Sequence, residues 1–552
     1  MIKKIFDLLI VIFLFSTPGL SRTIVYGRVT GADGKAIQVA NVFLCHPSES
    51  RPVDSVMVRR NGYYEVDIPS SGIWMLHFTG IFHREYPIAI YAINGTRLQL
   101  NVRLRTYNYG SIFTPAVIGN FNGWSVEKSV PFHKAQDGIY SAKVRCNSDT
   151  LFYRLVHVRT GGEVEGTDAD GYVPNGIENY DSYLVTVRRK VTINFDPDRL
   201  PYSKKPTIFK LAEGRSFEAR FARAVAGFEN ARQDYFESFF KSVVDHHMMG
   251  FKFNYAPYLG RVKSMLQREH SKPVRQALEL SDFSIRYMST DGYVIPKICR
   301  LLLNDLAPRS LVWSLRPSTI YQAAELSGLP KFKRTDFFHE VLNLNPVAET
   351  KVTLLMQLIT MDSRGLTPDK LKPYLSILVD QYGGFPQAAE CYDKYSSYLS
   401  IKKGSPAPDF SIDLYPDTTS RITNHQFKGR YYLLDFWSPS NRGSVKETRY
   451  LHSLQERIGS NNLEMISVAL NFDSKSKKSG STAERVLQFN TKVWHGFDNK
   501  LCREFEVYSV PKLVLVDPQG VIAASGWKLL GPKIEEVIRK TSISELQTSS
   551  KN

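Results

Sequence analysis

The chain has 552 residues, 43% of them hydrophobic and 23% charged, and a formal net charge of +17 at neutral pH. This length predicts three to four ordinary globular domains of about 100–200 residues. The basic residues lie in small scattered groups without a nucleic-acid recognition motif, which excludes a nucleic-acid-binding protein. We therefore expect a solvated basic surface, with attraction to anionic glycans or membrane surfaces as the alternative.

Residues 1–21 have the pattern of a secretory signal peptide. Two lysines precede an apolar run at residues 5–15, and small residues lead to an expected cleavage site near Ser21. The run is too short to span a bilayer and contains Asp7, and no later stretch is apolar enough to cross a membrane. The sequence predicts a periplasmic or secreted protein that is soluble after cleavage and has envelope proteins or peptides as partners.

Residues 22–105 alternate apolar and polar side chains, as an all-β unit does. Predicted strands at residues 23–29 and 40–44 are separated by the hairpin-type turn Asp33-Gly34. The segment resembles the carboxypeptidase regulatory-like β-sandwich domain. That resemblance implies a spacer or docking module without an active site.

Residues 106–198 carry a second β pattern, in which a turn ending at Trp124 precedes a strand containing Arg154. The series resembles an early-set glycan-binding module of the glycogen-binding type. The resemblance implies that Trp124 stacks on a sugar ring and that Arg154 assists. The second sugar-stacking tryptophan, expected shortly after Val158, is absent. The alternative, in which Trp124 packs against its own loop, therefore stays open.

Prolines between residues 196 and 206 predict a linker, and the apolar period beyond it becomes helical. Apolar residues recur there at three-, four- and seven-residue steps: Phe217, Phe221, Ala224, Phe228, Tyr235 and Phe239. We interpret residues 207–399 as an all-α domain. The neighbouring pair His246-His247 lacks the spacing that places two ligands on one helix face, so no metal site is expected.

Residues 431–444 read YYLLDFWSPSNRGS, an apolar strand that breaks at Pro439 before a segment with helical spacing. Together with GSPAPDF at residues 404–410 and YSVP at residues 508–511, they resemble the thioredoxin superfamily, in particular its secreted TlpA-like and AhpC/TSA-like branch. The resemblance covers residues 404–540 and leaves a tail at 541–552.

The two cysteine positions of that family fall on Asn441 and Ser444. The resemblance also implies a buried proton-transfer carboxylate at Asp435 and a cis-proline at Pro511, with Val510 facing an extended substrate. Thiol–disulfide exchange needs an attacking thiolate and a resolving thiol. We therefore predict a redox-inactive turn whose asparagine and serine serve as helix N-cap residues.

The five cysteines are far apart and form no C-x-x-C pair or metal-ligand spacing. One or two disulfides could form in an oxidising compartment, leaving at least one thiol. Cys502 lies in a predicted short helix ahead of the proline and is the candidate for a substitute nucleophile, against the alternative of a buried structural thiol. No cofactor is expected.

These patterns predict a multi-domain protein with two N-terminal all-β sandwiches, a central all-α domain and a C-terminal α/β thioredoxin-like domain. The preferred function is protein binding or scaffolding by a redox-inactive domain. One alternative is a TlpA-like thiol–disulfide oxidoreductase of the cell envelope that uses a thiol outside a C-x-x-C motif. The other is a glycan-binding protein, for which Trp124 and Arg154 are the candidate residues.

Overall fold

The computed structural model describes most of the chain after the predicted signal peptide. The described residues are 22–49, 51–109, 114–159, 162–186, 190–203, 205–244, 251–290, 292, 294–362, 368–413, 421–439, 441–458, 463–470, 492–493 and 500–549. The predicted signal peptide and the pair His246-His247 lie outside them. The chain divides into two compact units, Met1–Pro346 and Val347–Asn552, which are described in turn.

The first β module of the first unit is a sandwich of two four-stranded sheets, with strand orders β17-β7-β1-β4 and β3-β2-β5-β6. Strands β1 and β4 alternate buried and more exposed side chains, as strands with one face on a core do, whereas every residue of β2 is buried. The strands are Thr23–Thr30 (β1), Ala40–Cys45 (β2), Pro52–Met57 (β3), Tyr63–Ile68 (β4), Gly72–Gly80 (β5), His83–Ala92 (β6), Arg97–Arg103 (β7) and Ile208–Leu211 (β17).

Strand β17 corrects the interpretation of residues 207–399 as purely helical. Its four residues pair antiparallel with β7, with Leu211 opposite Leu100 and Ile208 opposite Arg103. Leu211 is buried in the core of the sandwich. The chain thus returns to the first module after completing the second.

The second β module has the strand orders β10-β11-β16 and β14-β15-β12-β8-β9, with β13 paired to β12. Its strands are Ala116–Gly119 (β8), Val130–Pro131 (β9), His133–Lys134 (β10), Tyr140–Arg145 (β11), Thr150–Arg159 (β12), Gly162–Val164 (β13), Gly171–Asn175 (β14), Asn179–Val185 (β15) and Lys190–Phe195 (β16). Buried residues of both modules form one continuous hydrophobic core. At the junction, the Tyr180 hydroxyl donates to Asn41 Oδ1 at 3.1 Å.

Helices complete the first unit, and the first of them packs on strand β6. They are Phe217–Val244 (α1), Ala256–Leu266 (α2), Lys272–Ser289 (α3), Pro296–Asp305 (α4), Ser318–Leu326 (α5) and Lys331–Leu344 (α6). The Tyr86 hydroxyl of β6 donates to Asn230 Oδ1 at 2.8 Å, and Arg105 forms an ion pair with Asp234 at 2.9 Å. This helical region therefore rests on the first sandwich.

The remaining helices of the predicted all-α domain belong to the second unit, because the units divide at Pro346. They are Ala348–Asp362 (α7), Pro368–Tyr382 (α8) and Pro386–Tyr395 (α9). No helix of the described residues combines the length and hydropathy needed to cross a bilayer.

The rest of the second unit is an α/β domain around a sheet of order β22-β21-β20-β23-β24, with the small pair β18-β19 beside it. Its elements are Ser411–Asp413 (β18), Arg421–Thr423 (β19), Tyr431–Trp437 (β20), Arg442–Ile458 (α10), Leu463–Ala469 (β21), Lys492–Val493 (β22), Lys500–Glu504 (α11), Lys512–Val516 (β23), Ile522–Ser525 (β24) and Lys533–Ser549 (α12). Strand β20 is parallel to β21 and antiparallel to β23. Helix α10 therefore starts at the carboxyl end of the central strand, which is a usual place for a site in α/β sheets.

Candidate functional site

Asn441 occupies the N-cap position of α10. Its Oδ1 accepts the backbone N–H of Ser444 at 2.9 Å, and its carbonyl accepts the N–H of Val445 at 3.0 Å. The side chain thereby satisfies one of the N–H groups that have no partner within the helix. The predicted capping role is what this residue performs.

The same amide also reaches the loop ahead of β23. Asn441 Nδ2 donates to the carbonyl oxygen of Val510 at 3.2 Å, and the Val510-Pro511 peptide bond is cis. A primary amide carries both a donor and an acceptor, whereas a thiol is weak in both roles. Asn441 therefore ties the helix start to the cis-proline loop by two ordinary hydrogen bonds.

Ser444 lies beside Asn441 but does not cap the helix, which corrects the sequence interpretation. It is the third helical residue, fully buried, and its Oγ accepts the N–H of Ser438 at 3.1 Å. The hydroxyl proton can go to the carbonyl of Ser438 at 3.0 Å or to that of Asn441 at 2.9 Å. Because Ser444 lies in the first turn of the helix, its hydroxyl hydrogen-bonds back to the loop that precedes the helix and stabilises that loop.

Asp435 is buried in the middle of β20, with 3% of its surface exposed. Thr448 of α10 donates its hydroxyl to Asp435 Oδ2 at 2.8 Å, while Oδ1 has no hydrogen-bond partner within the described residues. Burial raises the pKa of Asp435 to about 7, an effect that the Thr448 hydrogen bond opposes and the nearby Glu447 carboxylate reinforces.

Asp435→Asn is expected to stabilise the protein above neutral pH. The pKa of the Asp435 carboxyl rises from 3.8 in the unfolded chain to about 7 in the folded protein. The folded state therefore binds this proton more tightly, and the free energy of unfolding falls as the pH rises from 3.8 to about 7. Asparagine does not titrate, so the variant avoids this loss of stability, which amounts to at most roughly 4 kcal/mol at pH 8. Thermal unfolding at pH 5 and pH 8 measures the difference. A variant that melts below the native protein at pH 8 would contradict this account.

Cys502 lies in α11, with 1% of its surface exposed, in an apolar cluster that includes Phe436, Phe505 and Val510. All five cysteines are buried, and none of them forms a disulfide. Reactive cysteines are partly exposed in electropositive surroundings, and buried structural ones are inert. The environment of Cys502 is that of a buried structural cysteine.

A buried ion pair next to the cis-proline is the part of this site that sequence reasoning missed. Lys512 Nζ, on a side chain 2% exposed, lies 2.9 Å from Asp380 Oδ2 of helix α8. It also donates to Ser376 Oγ at 3.2 Å and to the Glu506 carbonyl at 2.8 Å. A lysine within the otherwise apolar strand KLVLV was the signal that could have indicated a buried counter-charge.

Helix α8 also contacts the cis-proline directly. Gln381 Nε2 donates to the Pro511 carbonyl at 2.5 Å. The Glu506 carboxylate, in turn, accepts the N–H groups of Ser400 and Ile401. The cis-proline loop and the segment before it are thus hydrogen-bonded to helix α8 and to the backbone of Ser400 and Ile401.

The residues proposed for glycan binding lie together in the second β module. The Arg154 guanidinium is 5.0 Å from the centre of the Trp124 ring and forms ion pairs with Glu163 and Asp181. Trp124 also packs on buried Ala116, Ile118 and Val156. A sugar that stacks on the ring face under Arg154 would have to displace this arginine.

No group of three or more histidine, cysteine, aspartate or glutamate side chains is placed to hold a metal ion in the part of the chain that the structure describes.

Solved structures similar to this chain are thioredoxin domains of thiol–disulfide oxidoreductases. One from Bacteroides vulgatus is 24% identical, with 26% of this chain and 99% of that chain covered and a TM-score of 0.23. A C-terminal domain of a putative oxidoreductase from Bacteroides thetaiotaomicron is 19% identical, with coverage of 26% and 99% and a TM-score of 0.22.

A thiol:disulfide interchange protein from Bacteroides sp. is 24% identical, with 26% of this chain and 91% of that chain covered and a TM-score of 0.23. No family model matches the chain, and no curated protein does either. The thioredoxin-like fold is instead recognised from the sheet order, from α10 following β20 and from the cis-proline ahead of β23.

Proposed function

We propose that the thioredoxin-like domain performs no thiol–disulfide chemistry and serves protein binding or scaffolding in an exported, multi-domain protein of the cell envelope. One observation carries this proposal. Asn441, at the position where the family has its first cysteine, is committed to the helix N-terminus through Oδ1 and to Val510 through Nδ2.

The second position supports the same conclusion. The Ser444 hydroxyl is fully buried and hydrogen-bonded to the backbone of Ser438. A hydroxyl becomes a nucleophile through an adjacent general base. Asp435 lies instead against Thr448, whose single hydroxyl proton can go to Asp435 Oδ2 at 2.8 Å or to the Ser444 carbonyl at 3.0 Å. This network stabilises the turn.

The contacts of the cis-proline loop favour scaffolding over peptide capture at this loop. A strand-like peptide would pair with backbone groups at Val510, but the Val510 carbonyl already accepts Asn441 Nδ2. On the other side of the loop, Gln381 holds the Pro511 carbonyl. A peptide at this position would compete with Asn441, so we place the partner surface elsewhere on the protein.

The main alternative is an oxidoreductase that uses Cys502. This thiol would have to leave the apolar cluster around Phe505 before it could reach a disulfide. For the glycan-binding alternative, Arg154 lies over the Trp124 ring and is itself neutralised by two carboxylates. Neither arrangement favours a second proposed function.

A reductase assay on the purified full-length protein tests the proposal. Reduction of insulin disulfides by dithiothreitol is followed with the native chain, with Cys502→Ser and with Cys391→Ser as a matched buried-thiol control. We expect all three to give the uncatalysed rate. Activity of the native protein that is lost in Cys502→Ser and kept in Cys391→Ser would overturn the proposal in favour of the enzyme.

A further inference from the structure

The outer face of the sheet β17-β7-β1-β4 carries a groove with a volume of about 500 Å³. Small-molecule sites typically have volumes of about 300–1,000 Å³. The groove crosses all four strands, so residues that are distant in sequence meet on one face. It lies in the first unit and is independent of the thioredoxin-like domain.

Strand register brings the polar side chains of the groove together. Lys210 of β17 lies opposite Asn101 of β7, and Arg28 of β1 lies opposite Tyr63 of β4. The N–H of Arg28 donates to Asn101 Oδ1 at 2.9 Å, which joins the two pairs into one row across the sheet. The returning strand β17 is therefore part of the site.

The charge of the groove has one sign. Arg28, Arg103 and Lys210 line it, and no acidic side chain does. These three cations form no ion pair within the described residues, and the buried Nε of Arg103 has no hydrogen-bond partner there. Arg97, the other arginine in the strands of this sheet, is paired with Glu65 at 3.3 Å. The groove thus offers cationic groups that a bound anion can satisfy.

Two tyrosine rings also line the groove. Tyr26 and Tyr63 each carry an arginine over the ring, Arg97 at 5.2 Å and Arg59 at 5.0 Å from the ring centres. These contacts restrain the rings, which present an apolar body beside the cations. The side-chain amides of Gln99 and Asn101 add hydrogen-bonding groups on the same face.

We propose that this groove binds an acidic oligosaccharide, that is, a short chain of sugar rings bearing uronate or sulfate groups. Carboxylates or sulfates pair with Arg28, Arg103 and Lys210 by charge-assisted hydrogen bonds. Ring hydroxyls bond to the amides, and the sugar rings pack against the tyrosine side chains beside the arginines that cover one face of each ring. This combination uses every kind of side chain that the groove presents.

Other anionic ligands use the groove less well. An acidic peptide gains its main-chain hydrogen bonds at the edge of a sheet, whereas this groove lies over the face, with β7 and β1 as interior strands. A lipid needs an extended apolar lining, but the aliphatic contribution here is limited to Val102 and Ile208. An oligosaccharide needs neither feature.

Fluorescence anisotropy with the full-length protein tests the assignment. The probes are a labelled tetragalacturonate, a sulfated tetrasaccharide, a neutral galactose tetramer and a tetraglutamate peptide with four side-chain carboxylates. We expect at least one of the acidic sugars to bind, and the neutral tetramer and the peptide to bind at least about tenfold more weakly. The two acidic probes distinguish carboxylate from sulfate recognition.

The variant Arg28→Gln/Lys210→Gln should weaken binding of the acidic sugar at least about tenfold, since it removes two charge-assisted contacts. Its control is Lys143→Gln/Arg145→Gln, which removes the same charge from exposed positions of β11 and should leave the affinity unchanged. Equal loss in the control, binding of the peptide as tightly as the sugars, or no binding of either acidic sugar would overturn the assignment.

Discussion

A chain carrying Asp380→Ala is expected to lose about 3–5 kcal/mol from the free energy of unfolding of the second compact unit. The substitution leaves the Lys512 ammonium buried, with 1% of the residue exposed and its counter-charge gone. Ser376 also loses the acceptor at Asp380 Oδ2 that it bonds at 2.8 Å. Removing one partner of a buried pair costs more than the pair itself contributes, because the remaining charge stays desolvated.

Calorimetry of the full-length protein measures the effect, and hydrogen exchange of the peptides covering α8 and β23 assigns it to this unit. Lys540→Ala is the control, because Lys540 forms an exposed pair with Glu536 on α12 and should change nothing measurable. Asp380→Leu/Lys512→Met should recover most of the stability, since apolar residues of similar volume replace buried pairs well. A double variant as unstable as Asp380→Ala would contradict the explanation.

Placing cysteines at the two positions that the thioredoxin resemblance assigns to them is expected to create a redox centre. In Asn441→Cys/Ser444→Cys, the first thiol would lie at the N-terminus of α10, where the helix dipole lowers a thiol pKa and increases the thiolate fraction. Asp435 has a pKa raised to about 7 and an Oδ1 without a hydrogen-bond partner, so it can exchange a proton at neutral pH. We expect insulin reduction at least about tenfold above the native rate.

The two single variants are the controls for this experiment. Asn441→Cys lacks a resolving thiol and Ser444→Cys has a buried one, so neither should sustain turnover. Thiol quantitation reports whether the double variant forms its disulfide. A disulfide that forms without any exchange activity would mean that the surroundings of Pro511 exclude substrate, and the fold would then be inactive for a reason other than its missing thiols.

The turn containing Asn441 could be predicted from the sequence because its determinants are local. An apolar strand, a proline break and a helical period follow one another within residues 431–458, and α10 begins one residue after Asn441. The role of Ser444 could not be read in the same way. Its hydroxyl faces back to Ser438, which depends on the path of the turn and not on spacing along the helix.

The contacts of α8 were beyond sequence reasoning for a different reason. Ser376 and Lys512 are 136 positions apart, and no motif links a helix in one segment to a strand in the other. Strand β17 presents the same difficulty, because four residues after a proline-rich stretch have no period of their own. Both features are set by tertiary packing, which overrides weak local preference.

The return of β17 to the first sheet has a consequence for how the chain is made on the ribosome. Strand β7 is fully synthesised once Arg103 has been added, but β17, the strand that pairs with its free edge, is complete only at Leu211. At about 5–20 residues per second, roughly 5–20 seconds pass before that partner is available. During this interval the unpaired edge of β7 can pair with a neighbouring nascent chain. We therefore expect a chaperone that covers this edge until the second sandwich has been synthesised to reduce aggregation.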